Sequence, residues 1–361
     1  MSDIRLIKPY ISFEEVEADF RAIFASGMFT RSQHVEGFRR ELAQYTGSKH
    51  AFLTTSATTA LWLCLKLLQV EPGDEVIVAD FSFPATANVV EDLGARPVFA
   101  DVSLDTFNML PEELERNISK HTKAVIFVDA LGNPTGVHEI AEVCRRHGIP
   151  LIEDAACAIG SSERQVRCGK IADLTCFSFH PRKLLTTGEG GAIMTDRDDW
   201  ARWLEIKLNH GASGMAGFAL DFTDYGYNFR LSELQAAMGR VQLRKLDEIV
   251  DQRNRIRDAY SAGLADHGYR VQTIAPDVRH NVQSVVFRVP ERIDRDGLIR
   301  HLRELGIEST IGTYSLSATG YYIKKYRNAQ PIAGLLNVNT ITLPCYQDVD
   351  VSRVIAAIKD F

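Results

Sequence analysis

What most constrains the fold is a series of short apolar runs, each closed by turn residues and most separated from the next by a stretch long enough for a helix. H-A-F-L-T-T, E-V-I-V-A-D, R-P-V-F-A-D-V, A-V-I-F-V-D-A, I-P-L-I-E-D-A, L-T-C-F-S-F and G-A-I-M follow one another between residues 50 and 194. Runs this short and this apolar suit strands covered on both faces, and alternation with helices implies right-handed crossovers. The predicted fold class is therefore α/β, with a large domain over residues 1–246 whose mainly parallel sheet is flanked by helices. From about Asp247 the pattern changes to a charged helix, D-E-I-V-D-Q-R-N-R-I-R, followed by S-V-V-F-R-V and D-G-L-I-R-H-L-R-E-L. That predicts a smaller C-terminal α/β domain over 247–361, against which an N-terminal arm can pack.

Local signals fill in the rest. Ser12 followed by acids predicts a helix over Ser12–Phe24, and others are expected at Val35–Tyr45, Pro111–Ile118, His138–His147, Asp198–Leu208 and from Ser232 onward. Leu151–Ile152, Leu174–Phe179 and Ala192–Met194 read as three buried parallel strands, and the glycine-rich N-H-G-A-S-G-M-A-G-F as a mobile loop. With 41 basic and 47 acidic residues the net charge is −6, so general affinity for nucleic acid or an anionic membrane is not expected. The six cysteines lack close pairs of metal-binding spacing, and no metal is expected. No apolar run is long enough to cross a bilayer and the N-terminus lacks a signal-peptide core, which makes the cytoplasm the expected location.

Chemistry concentrates between Leu151 and Met194. There an acid, Asp154, and an amine, Lys183, each follow a strand, where open α/β sheets bind small ligands. A lysine that forms a Schiff base with a carbonyl cofactor needs a site that favours the neutral amine. A pyridine cofactor needs an acid at its ring nitrogen, so that the ring can withdraw electrons. Each residue also has an ordinary reading: Asp154 as the cap of a helix from Ala155, Lys183 as a solvated loop cation. Upstream, S-A-T-T joins a strand to a helix, and Ser56, Ala57 and Thr58 would there present unpaired N–H groups to an anion or simply cap the helix. Phe83 reads either as core, the usual place of an aromatic in an apolar context, or as a ring able to stack on a planar ligand, whereas Phe81 reads as core.

The wording E-D-A-A, then G-K-I-A-D, then F-S-F-H-P-R-K-L-L-T-T-G-E-G-G resembles the DegT-type (DnrJ/StrS) sugar aminotransferases, which depend on pyridoxal 5'-phosphate (PLP) and have the aspartate aminotransferase fold. The resemblance implies that Lys183 carries PLP, Asp154 holds its ring nitrogen, and Ser178 binds its phosphate with Ala57 and Thr58. It places Phe83 against the ring and Cys157 near the phenolic oxygen, where many members have glutamine. G-Y-N-F-R matches a G-x-N-x-R stretch whose asparagine, here Asn228, reaches the partner's phosphate in a homodimer with shared active sites. Arg230 suits the carboxylate of an amino donor, expected to be L-glutamate, and equally an interface salt bridge. Thr30 and Arg31 read as surface residues in preference to residues bordering the pocket, Asp129 and Asn133 as pocket or turn residues, and His180 receives no proton-transfer role.

The implied activity is transfer of an amino group to a keto sugar, most readily a nucleotide-linked one. Retention of the lysine argues against the family's dehydratase branch. The segment T-I-G-T-Y-S-L-S-A-T-G-Y-Y departs from the family wording beside the substrate, which leaves a non-sugar ketone such as a cyclitol or aromatic precursor open. A PLP-binding regulatory protein without turnover is the remaining alternative.

Overall fold

The structure is a computed structural model that describes residues 4–361. Seven strands form its large sheet: β1 (His50–Thr54), β2 (Glu75–Ala79), β3 (Arg96–Ala100), β4 (Thr122–Val128), β5 (Leu151–Asp154), β6 (Leu174–Ser178) and β7 (Gly191–Thr195). In space they lie in the order β1-β7-β6-β5-β4-β2-β3. β3, β2, β4, β5 and β6 are parallel, as expected from their apolar runs. The third run around Lys183 is not: β7 pairs antiparallel with both β6 and β1. The short segment between β6 and β7 holds no helix, so the chain folds straight back where a parallel return needs a crossover.

Side-chain alternation divides the sheet into two apolar faces. Phe52, Val76, Val78, Ile126, Ile152, Leu174 and Ile193 meet the helix Ala57–Leu67 through Ala60, Leu61, Leu63 and Cys64. On the opposite face Leu53, Phe177, Ala192 and Met194 pack with Phe38 and Leu42 of the helix Gln33–Thr46. Ile77, Val125 and Leu151 meet Ile140 and Val143 of the helix Val137–His147. Burying one such aliphatic side chain contributes about 1.5–3 kcal/mol, which explains why the strand runs are apolar throughout.

A second, four-stranded sheet is built from Arg270–Val271, Val285–Arg288, Thr340–Leu343 and Thr310–Ile311. Its core gathers Tyr260, Leu264, Phe287, Leu298, Leu302, Ile341 and Val354. Ile4 joins this core and bridges to Ile307. The long helix Leu246–Leu264 runs into it, and the buried Arg253 donates to the carbonyls of Val282, Gln283 and Cys345.

Two local expectations change. The first helix begins at Glu17 rather than Ser12, because the Ser12 N–H donates to Glu15 Oε2 and Val16 closes a turn on Phe13. The glycine-rich stretch is a β-hairpin, Ala212–Ala216 paired with Ala219–Phe222, turning at Gly217 with φ +65°, in the left-handed region that glycine enters freely. Among the described residues no helix is long and apolar enough to cross a membrane.

Candidate active site

Asp154 is the last residue of β5 and Ser178 the last of β6, so both stand at the carboxyl end of the sheet. Lys183 follows in the segment returning to β7. That segment is held from several sides: Leu184 N–H donates to Gln283 Oε1 at 2.9 Å, Gln283 Nε2 to Arg182 O at 2.7 Å, and Thr186 N–H to Gln242 Oε1 at 3.1 Å. The lysine side chain is thereby aimed back at β5, and its Nζ donates to Cys157 Sγ at 3.0 Å. The backbone carbonyl of Cys157 accepts from Asn281 Nδ2 at 2.8 Å, which fixes the turn carrying the sulfur.

Asp154 is almost fully buried. Its Oδ2 accepts from the Thr86 hydroxyl at 2.7 Å and its Oδ1 from the Ala156 N–H at 3.3 Å, while the Thr86 hydroxyl also meets Ser82 Oγ at 2.9 Å. Burial pushes the Asp154 carboxyl above its ordinary range; the Thr86 and Ala156 hydrogen bonds and the Lys183 charge pull the other way. A cationic ring nitrogen beside it would favour the ionised form further. Thr86 was not singled out from sequence: P-A-T-A-N offers only a threonine in a helix's first turn, although its place four residues after Ser82 was a readable signal.

The Ser56–Thr58 turn and Ser178 are brought together through Gly191. Gly191 pairs with Thr54 on one side and Ser178 on the other, and a Cβ there would lie 2.5 Å from Ser56 C and 2.6 Å from Ala57 N. The turn therefore rests directly on β7. Ser56 closes a capping box with Thr59, so the caps are internal, and the N–H groups of Ala57 and Thr58 precede the first intrahelical bond. Two free amides, a helix dipole and the Ser178 hydroxyl form a setting for a phosphate.

Phe81 is buried and Phe83, two residues on, is 65% exposed, because the short strand Phe81–Ser82 ends before it and Phe83 stands in the link to the helix Ala85–Asp92. Tyr314 stands edge-on to Phe83 with centroids 6.3 Å apart. Asp80 holds that neighbour in place, accepting from Ser315 Oγ at 2.7 Å, Ser317 N at 2.6 Å and Ser317 Oγ at 2.9 Å. An amine, a buried acid, an aromatic face and an anion cradle at one sheet end fit a phosphorylated pyridine aldehyde.

Other candidates fall elsewhere. Asn228 is exposed just beyond the hairpin, and Arg230 lies in a cavity with Arg31 beside the edge strand β1. Asn133 is buried in a turn, with its Nδ2 donating to Thr273 O. Asp129 is buried with Glu153 and Cys168, their ligand-type atoms within 4.8 Å of one another. His180 is lowered by burial and sits 3.9 Å from Glu189.

Residues 11–359 match the model of the DegT/DnrJ/EryC1/StrS aminotransferase family. The chain is 36% identical to GDP-perosamine synthase of Caulobacter vibrioides over 328 residues, covering 89% of this chain and 88% of the relative. It is 33% identical to the spore coat polysaccharide biosynthesis protein SpsC of Bacillus subtilis over 371 residues, covering 98% and 95%. A Streptococcus pneumoniae protein solved in its PLP form superposes with a TM-score of 0.93 at 28% identity, covering 99% of this chain and 98% of that one.

Proposed function

The chain belongs to the DegT/DnrJ/EryC1/StrS aminotransferase family, and on that premise we propose that it moves the amino group of L-glutamate onto a keto sugar carried by a nucleotide. It is a transaminase and PLP is its cofactor. The keto-sugar reading is supported by the GDP-perosamine synthase and SpsC relatives, which share about a third of its residues.

One observation carries the assignment of roles. Lys183 Nζ reaches Cys157 on the turn directly after Asp154, so amine and acid serve the same end of the cleft. When bound, PLP supplies an electron sink for the charge left on the donor's α-carbon. Lys183 would hold the aldehyde, and its Nζ would carry the proton taken from the donor's α-carbon. Asp154 holds its negative charge toward the ring nitrogen, with Thr86 steering the carboxylate. Ala57, Thr58 and Ser178 would bind the phosphate, Phe83 would cover the ring and Cys157 would serve the phenolic oxygen. Arg230 is a candidate for the carboxylate of the donor.

The assembly in this reading is a homodimer. Met215, Phe218, Leu220 and Phe222 of the hairpin are exposed, as is Tyr225 beyond it, a patch that water disfavours and a second copy would cover. Asn228 follows that patch and reaches the phosphate of the partner's site. The six free cysteines suit a reducing cytoplasm.

Lys183→Ala tests the central role. The wild type should show a visible band that borohydride shifts by fixing the cofactor to Lys183, and the variant should lose both the fixed adduct and amino transfer. Normal transfer by the variant would refute it.

A further inference from the structure

Arg31 and Arg230 line one cavity at the outer edge of the large sheet, where β1 is the terminal strand. The acids in its wall are already engaged: Arg39 meets Glu36 at 3.3 Å and Glu205 at 2.9 Å. Among the described residues neither Arg31 nor Arg230 has an ion pair or a side-chain hydrogen bond. Two guanidiniums thus share a space whose acids, Glu36 and Glu205, are both taken by Arg39. The pKa of Arg230 is lowered from the usual arginine value, first by burial and then by the Arg31 charge. Arg31 also keeps a left-handed backbone, φ +55°, which a non-glycine residue adopts uncommonly.

The cavity lies toward the same end of the sheet as Ser178: β1 ends at Thr54 opposite Gly191, which pairs in turn with Ser178. Phe52 and Leu53 of β1 form part of its wall, and the chain runs from them through Thr54 into the Ser56–Ala57 turn. An arrangement of two unpaired, mutually repelling cations becomes favourable when an oxyanion enters, because each guanidinium fork can donate two parallel N–H bonds to paired oxygens.

We propose that Arg31 and Arg230 together form an oxyanion site that holds a charged part of one of the two substrates, with Arg31 as an equal partner in it. The site rests on the transaminase reading above. Its ligand is either the carboxylate of the amino donor or the diphosphate of the nucleotide that carries the sugar, since both present oxygens in the same paired form. Arg31 is a binding residue here and takes no part in proton transfer.

The test uses the PLP-loaded enzyme and Arg31→Gln, an exposed position where folding is not at stake. Conversion of the visible band by L-glutamate gives the donor's half-saturation, and calorimetry with GDP and UDP gives nucleotide affinity. A lost charge-assisted contact should weaken one of these by roughly 10- to 100-fold. Arg31→Lys, which keeps the charge without the fork, should lose less. Weakened glutamate response identifies the donor carboxylate, weakened nucleotide binding the diphosphate, and weakening of both a site shared by the two half-reactions. Unchanged affinity for all three probes overturns the site. So does a variant whose only change is easier dissociation of the dimer, since the two cations would then face an acid of a second copy. A wild type without a borohydride-sensitive band would instead refute the transaminase reading, so the two failures are distinguishable.

Discussion

Gly191→Ala is the sharpest probe of how the anion cradle is built. The new Cβ would stand 2.5 Å from Ser56 C, 2.6 Å from Ala57 N and 2.7 Å from Ser56 O, all of them backbone atoms that cannot rotate away. The backbone at Gly191 is not left-handed, so the cost is steric and not conformational. Ordinary contact begins near 3.4 Å, and the turn must retreat by about 0.9 Å. Overpacking of this kind costs about 1–3 kcal/mol, which in a chain of this size lowers Tm by a few degrees. The larger effect falls on the cofactor. An N–H donor moved by nearly an ångström no longer makes a hydrogen bond to a phosphate held by Ser178, and a bond to a charged group contributes about 1.5–3 kcal/mol. PLP affinity, measured by absorbance titration of the cofactor-free protein, should fall roughly 10- to 100-fold. A variant with wild-type affinity and unchanged Tm would show that the turn does not rest on β7 and that the phosphate is held elsewhere.

Three further outcomes are expected. Thr86→Val removes the hydroxyl that donates to Asp154 Oδ2, so the carboxyl, already raised by burial, rises further; the acidic limb of the kcat profile should move to higher pH, and an unmoved limb would exclude Thr86. Asp80 is pushed up to about 6 by burial, against the pull of its serine contacts, so its stability contribution is full below its ordinary value of 3.8 and is lost as pH rises through 6. The wild-type advantage over Asp80→Asn in urea unfolding should therefore shrink by roughly 2–3 kcal/mol between pH 4 and 7, and a constant difference would contradict this. Asp129 is raised by burial and by Glu153, so Asp129→Asn, which mimics the protonated acid, should raise Tm more at pH 8 than at pH 5; an equal change at both would mean the two acids do not share a proton.

Much of the fold was legible because strands buried on both faces must be apolar along their whole length, and only a few residue types satisfy that. Lys183 and Asp154 were legible because each ends or follows such a run. Direction was not: nothing within Ala192–Met194 records whether the chain crossed over or turned back, and only the helix-free link after β6 decides it. Thr86 was hidden for another reason. Its contact with Asp154 spans 68 positions and exists only because the residues after β2 fold over toward the end of β5. Arg31 read as a surface cation, and it is exposed; its relation to Arg230 arises from packing 199 residues apart, which no local pattern encodes.

The neighbours Glu153 and Asp154 show why burial alone does not make a working acid. Both are buried, and successive strand residues point to opposite faces, so they occupy different environments. Glu153 accepts from Thr175 Oγ1 at 2.7 Å and Gly169 N at 3.1 Å, yet it lies near Asp129 and Cys168 with no cation beside it. Both oxygens of Asp129 and Oε1 of Glu153 are left without a hydrogen-bond partner as drawn, a state that one shared proton resolves. That pair is closed on itself and has no means of answering a ligand. Asp154 instead has Thr86 and Ala156 as donors and a lysine whose charge reaches it. The burial that raises its pKa would also strengthen its attraction to a cation placed beside it, so a protonated ring nitrogen bound there would favour its ionised form.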